Sequence, residues 1–80
     1  MPGNWVLVEY LGKKSVSKFI GQVMTIEHDE RTVKFVTESR IGNYYIFPEN
    51  EDTNVVENTQ IVKLLKEPHF NNHGHYIFDI

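Results

Sequence analysis

The stretch WVLVEY, residues 5–10, decides the fold class, because its apolar side chains alternate with a period of two. Val6, Val8 and Tyr10 fall on one face of an extended chain, and the residues between them fall on the other. This alternation predicts a β-strand at the beginning of the chain.

A second stretch, residues 17–26, alternates in the same way as far as Val23. Ile26 comes three positions after Val23, which breaks the period of two. One extra residue at 24–25 would restore the alternation, so we predict a β-bulge there. Gly21 inside this strand indicates a close approach of neighbouring backbone or a sharp bend.

The composition extends the β prediction to the whole chain. Nine valines, seven isoleucines, five threonines and ten aromatic residues make up 31 of the 80 residues, whereas alanine is missing. β-branched and aromatic side chains suit a pleated surface, and alanine is the strongest helix former. Hydrophobic residues at 40% and charged residues at 24% indicate one folded domain.

Five antiparallel strands with short turns predict an all-β fold, a small and strongly bent barrel over residues 1–67. The segment 55–65 also shows helical spacing, but the β composition favours a short helical turn followed by a strand. The strands are predicted near residues 5–10, 17–27, 32–37, 43–47 and 60–65, with the turn at 54–59. The predicted core consists of Val6, Val8, Ile20 or Gly21, Val23, Ile26, Val33, Phe35, Ile46, Val55 and Ile61.

The tail, residues 68–80, is too apolar at its end for a free terminus. Tyr76 and Phe78 alternate on one side, so we expect the tail to dock on the barrel as an extra edge strand that covers Trp5 and Leu7. A frayed end is one alternative. Pairing with another chain is the second, and it would make an edge-paired dimer instead of a monomer.

The residues or motifs that several classes of protein function require are missing from the sequence. The chain has no cysteine, which favours an intracellular protein, and no apolar run long enough to span a membrane. No phosphate-binding glycine motif, cofactor motif or catalytic constellation is present, so we expect a protein that is not an enzyme. His69, His73 and His75 match no known metal site, and we expect a solvated tail there.

The residues of the first three strands resemble Tudor-type domains, which are SH3-like barrels. The resemblance rests on Gly3-x-x-Val6-x-Val8-x-Tyr10, on Phe19-Ile20-Gly21-Gln22-Val23-x-x-Ile26 and on Val33-Lys34-Phe35. A closer resemblance is to C-terminal domains of uncharacterised, transposon-associated animal proteins. It rests on Trp5–Val8, Lys13–Val16, Gly21–Val23, Val33–Phe35, Phe47-Pro48, Glu51-Asp52 and Ile61-Val62.

The Tudor resemblance implies a non-catalytic interaction module in a nuclear, chromatin- or transposon-related protein. Its partner would be a protein or peptide, such as a histone tail or another basic segment with methylated lysine or arginine. The implied site is an aromatic pocket formed by Tyr10, Phe19 and Phe35. Tyr44 or Tyr45 would supply a further ring, and Glu38, with Glu9 and Glu49, would favour a cationic ligand.

Three alternatives remain open from the sequence. Phe19 and Phe35 could be core residues without a binding role. Lys13, Lys14 and Lys18 could instead form a nucleic-acid patch, although a net charge of −3 disfavours it. The domain could also be structural and pack on a partner protein through an exposed Trp5 and Leu7.

Overall fold

The computed structural model describes residues 2–39, 44–72 and 74–78, and it confirms the all-β class. Within these residues there are nine strands and a single 3-10 turn, in place of the five strands predicted. The strands are β1 Trp5–Leu11, β2 Val16–Glu27, β3 Glu30–Phe35, β4 Thr37–Glu38, β5 Tyr44–Ile46, β6 Thr53–Glu57, β7 Ile61–Leu65, β8 His69–Phe70 and β9 Tyr76–Ile77. The 3-10 turn, Asn58–Gln60, lies between β6 and β7.

The larger sheet has five antiparallel strands in the order β6-β3-β2-β1-β7. Val6 lies opposite Gly21, and Val8 lies opposite Phe19, so the faces predicted from the alternation match across β1 and β2. The sheet is strongly curved. Val56 from one edge strand and Ile61 from the other pack on the same core cluster.

This inner cluster is built from the alternating residues of four strands. Its members are Val6, Val8, Val23, Val33, Phe35 and Val56, with Tyr10 and Ile61 packed against it. Gly21 also faces inward, and a β-carbon added there would meet the side chains of Val33 and Phe35. The close approach predicted at Gly21 is therefore present.

The predicted bulge in β2 is confirmed, because the register with β3 shifts between Val23 and Thr25. The shift places Ile26 opposite Arg31, on the same side as Val33. Ile26 is nevertheless 38% exposed, so its predicted place in the core is wrong. The hairpin end of β2 extends beyond the core cluster.

The predicted fourth strand is present as β5, which pairs with β4 and β9 in the smaller sheet, whereas β3 pairs with β6. The helical turn predicted at 54–59 is confined to Asn58–Gln60, because residues 53–57 form β6. The register places Val56 on the inner side, so Val55 is 52% exposed and its predicted burial is wrong. The turn is held by a capping box between Glu57 and Gln60.

The smaller sheet has four strands in the order β4-β5-β9-β8. The tail supplies β8 and β9, and Tyr45 of β5 lies opposite Tyr76 of β9. The tail therefore pairs with the segment between β3 and β6 and does not extend the edge of the larger sheet. Ile46, which was predicted for the core, lies opposite Thr37 in this smaller sheet and is only half-buried.

A second apolar cluster fills the space between the two sheets. It consists of Trp5, Ile20 and Val36, with Leu7, Tyr45, Phe47, Leu65, Tyr76 and Phe78 packed against it. The Trp5 ring lies 4.9 Å from the Tyr76 ring and 5.2 Å from the Phe78 ring. Trp5 is 2% exposed, so the alternative of a free docking surface at Trp5 is wrong.

Candidate ligand-binding pocket

Three aromatic side chains meet at one end of the inner face of the larger sheet. Tyr10 lies near the end of β1, Phe19 lies in the first half of β2, and Phe35 is the last residue of β3. Each is two positions from an inward-facing core residue of its strand, so the alternation carries all three rings to the same face. The sequence predicted this group of three.

The three rings are mutually inclined and do not form a stack. Tyr10 and Phe19 are 5.7 Å apart between ring centroids at 66°, and Phe19 and Phe35 are 6.2 Å apart at 76°. Tyr10 and Phe35 are 6.3 Å apart at 49°. Because their planes point in different directions, the rings form walls of a concavity instead of one flat surface.

Two polar residues complete the pocket. Asp52 and Asn54 line it with the three rings, and its volume is about 220 Å³. The carbonyl oxygen of Asp52 accepts a hydrogen bond from the N–H of Phe35 at 2.8 Å, which fixes this chain beside β3. The amide Nδ2 of Asn54 donates to the hydroxyl oxygen of Tyr10 at 3.3 Å.

Sequence reasoning missed both polar residues. Asp52, Asn54 and Val56 alternate, and Val56 faces the core, so the two polar residues are on the same side at the pocket end of β6. This alternation could have identified Asp52 and Asn54 as residues on the pocket side of the strand. It was not used, because residues 54–59 were predicted to form a helical turn.

The pocket rings differ in exposure. Phe35 is 5% exposed and belongs to the core cluster, whereas Phe19 is 47% exposed and belongs to neither cluster. Tyr10 is half-buried against the core. Phe35 therefore has a packing role as well as a place in the pocket wall, and Phe19 is the ring most accessible to a ligand.

The structure does not bring the other predicted site residues into this pocket. Tyr44 stacks on His75 with ring centroids 5.4 Å apart, and Tyr45 meets the edge of Phe78 at 5.4 Å. Both tyrosines belong to the smaller sheet because the tail pairs with β5. Glu38, in β4, lies outside the pocket as well.

Glu38 and Tyr45 instead line a neighbouring groove of about 360 Å³ between β2 and β4. Phe19 is shared, since it lines the groove as well as the aromatic pocket. The groove is lined by Leu7, Lys18, Phe19, Ile20, Val36, Thr37, Glu38 and Tyr45.

The predicted basic patch is split by the hairpin between β1 and β2. Lys13 and Lys14 lie exposed between the two strands, whereas Lys18 lies within β2, opposite Glu9, and lines the groove. Lys18 therefore lies apart from Lys13 and Lys14, opposite Glu9 in the sheet and in the same groove as Glu38.

The histidines of the tail take different positions. His69 is exposed in β8, His75 stacks on Tyr44, and His73 lies outside the described residues. Among the residues that the structure describes, no three histidine or acidic side chains cluster as a metal site.

Comparison with known proteins does not identify a family. No protein-family model matches the chain, and no curated protein or solved structure matches it significantly. In the described parts of the chain, no helix is long and apolar enough to cross a membrane.

Proposed function

We propose that this protein is a non-catalytic interaction module that binds a cationic side chain of a partner peptide in the pocket of Tyr10, Phe19 and Phe35. The ligand class is a methylated lysine or arginine in a histone tail or another basic segment. The observation that carries the proposal is three inclined aromatic rings around one concavity, with Asp52 on its rim.

This chemistry suits a methylated ammonium or guanidinium group. Such a group keeps its positive charge but is weakly hydrated, so it gains from the negative faces of several aromatic rings. The exposed carboxylate of Asp52 adds a negative charge at the same place. The side-chain amide of Asn54 is bonded to Tyr10 and orients that ring toward the pocket.

The architecture supports a Tudor-like, SH3-like barrel as the class of this domain. The curved five-stranded sheet has the meander β1-β2-β3-β6, and β7 returns beside β1. Both edge strands contribute to one core through Val56 and Ile61. With the resemblances stated above, this supports a chromatin- or transposon-related protein of the nucleus.

The test is a panel of histone-type peptides with unmodified, mono-, di- and trimethylated lysine and with methylated arginine, followed by NMR chemical shifts. We expect a methylated peptide to shift the ring resonances of Tyr10 and Phe19 and to bind more tightly than its unmodified counterpart. Tyr10→Ala and Phe19→Ala should weaken this binding, and Tyr10→Phe, which keeps the ring, should weaken it less.

The matched control is Val62→Ala in β7, where the side chain is 47% exposed and does not line the pocket. It should bind like the unaltered protein. Binding that ignores methylation, or that survives both Tyr10→Ala and Phe19→Ala, would contradict the proposed pocket.

A further inference from the structure

The first half of β2 lacks a neighbour on one side. The ladder between β2 and β3 ends at Gly21 opposite Phe35, and one further bond joins the N–H of Val36 to the carbonyl of Ile20 at 3.0 Å. The chain then enters β4, which pairs with β5. Within the described residues, 16–19 of β2 pair with β1 alone.

The backbone alternation shows which polar groups this open edge presents. The N–H and carbonyl of Val23 bond to Asn4 and Gly3, on the β1 side. The carbonyl of Ile20 points the opposite way, toward Val36. Residues two apart point to the same side in a strand, so the N–H and carbonyl of Lys18 also point away from β1.

These backbone groups border the groove beside the aromatic pocket. The groove is lined by Lys18 and Ile20 on the β2 side and by Thr37 and Glu38 on the β4 side. β4 is itself the edge strand of the smaller sheet. An extended segment in the groove would therefore lie between two strand edges, where unpaired main-chain groups can accept an added strand.

We infer that the partner peptide adds to β2 as a short strand in this groove, pairing with the main chain of Lys18 while its cationic side chain enters the aromatic pocket. The inference rests on the proposed function of that pocket. Phe19 connects the two places, because it lines both.

The alternation of an added strand specifies the partner. A peptide residue opposite Phe19 shares the face of Phe19 and so carries the cation into the pocket. Its neighbour opposite Lys18 shares the other face of β2 with Leu7 and Ile20, and its second neighbour meets Val36, whose N–H is bonded to the carbonyl of Ile20. Glu38 beside the groove and a net charge of −3 favour a basic segment. The expected ligand is thus an extended sequence with a methylated lysine between two apolar residues.

Amide hydrogen exchange tests this directly. The probe is the heptapeptide acetyl-GTVKVTG-amide with dimethylated lysine. We expect its binding to slow exchange at the Lys18 amide by about tenfold or more, because that N–H becomes paired with the peptide. The amides of Phe19 and Gly21 point toward β1, so they serve as internal references that change little.

A second arm removes the main-chain bonds. The same peptide with both valine nitrogens methylated should bind about tenfold more weakly, because it cannot donate to β2. In the protein, Lys18→Pro removes the edge N–H and should weaken binding more than Lys18→Ala, which shortens the side chain but keeps that N–H. If Lys18→Pro fails to fold, the hydrogen-exchange measurement and the N-methylated peptide still test strand addition on the unaltered protein.

The outcomes separate this inference from the proposed pocket. Binding that shifts Tyr10 and Phe19, leaves Lys18 exchange unchanged and tolerates the methylated valines would overturn strand addition and keep the pocket. Protection of Lys18 with unchanged peptide affinity in both Tyr10→Ala and Phe19→Ala would keep strand addition and reject the pocket. Failure of the heptapeptide to bind would overturn strand addition, and the pocket would then depend on the methylated-peptide panel.

Discussion

Asn54 donates a hydrogen bond from its Nδ2 to the hydroxyl oxygen of Tyr10 at 3.3 Å, although the two residues are 44 positions apart in sequence. In the sheet, β3 and β2 lie between the strands that carry them. The bond therefore spans the concave side of the sheet. The backbone N–H of Val55 donates to the Oδ1 of the same amide at 2.9 Å, which orients the Nδ2 of Asn54 toward Tyr10.

We predict that Asn54→Ala weakens binding of a methylated peptide severalfold and lowers the free energy of unfolding by about 1 kcal/mol. Tyr10→Phe should have a similar effect on stability, because it removes the same bond from the other side. Urea unfolding and peptide titration of both variants and the double variant measure the coupling. If the two single effects add fully in the double variant, the bond does not orient the pocket.

Gly21 gives a prediction about the core beneath the pocket. A β-carbon there would collide with Val33 Cγ1 and lie 3.1 Å from Phe35 Cδ1. We expect Gly21→Ala to lower the free energy of unfolding by about 1–3 kcal/mol. Ser17→Ala, at an exposed position of the same strand, should change it by less than about 0.5 kcal/mol. Equal urea midpoints for the two variants would contradict the close packing at Gly21.

The resemblance to Tudor-type domains implied the three pocket rings, and the strand alternation places them on one face because neighbouring strands preserve the faces of the sheet. Tyr10 and Phe35 each come two positions after a buried valine, and Phe19 comes four positions before one, so the three rings share the face of the buried valines. The bulge at 24–25 does not separate any of these rings from its valine. Local patterns are sufficient for such residues, since each strand already specifies which side chains turn inward.

Other parts of the fold depend on pairings that no local pattern specifies. Val55 and Val56 are both apolar, so only the register with β3 decides which one is buried. Tyr44 and Tyr45 were expected near the pocket, but their partner strand comes from the tail, about thirty residues later. For the same reason, the groove between β2 and β4 could not be predicted, because it exists only where the chain leaves β3.

The lysine patch gives a prediction against the nucleic-acid alternative. Lys13 and Lys14 lie exposed in the loop between β1 and β2, whereas Lys18 lies in β2, opposite Glu9, and lines the groove with Glu38. The net charge of the chain is −3. We expect no mobility shift of a short DNA duplex at about 50 mM salt. Measurable binding with a log–log salt slope near −0.9 per contact, lost on Lys13→Glu with Lys14→Glu, would reverse this conclusion.

The contact between the tail and Trp5 gives the last prediction. Trp5 is the only tryptophan of the chain, and its ring is covered by Tyr76 at 4.9 Å, so its fluorescence reports directly on the docked tail. Tyr76→Ala should shift the emission to longer wavelength and lower the free energy of unfolding by about 2 kcal/mol, because it opens a cavity beside the indole. The control is Leu11→Ala, which removes an apolar side chain that is 79% exposed at the other end of β1 from Trp5, and it should leave the emission unchanged. An unchanged emission and an unchanged stability in Tyr76→Ala would mean that Trp5 is not covered by the tail in solution.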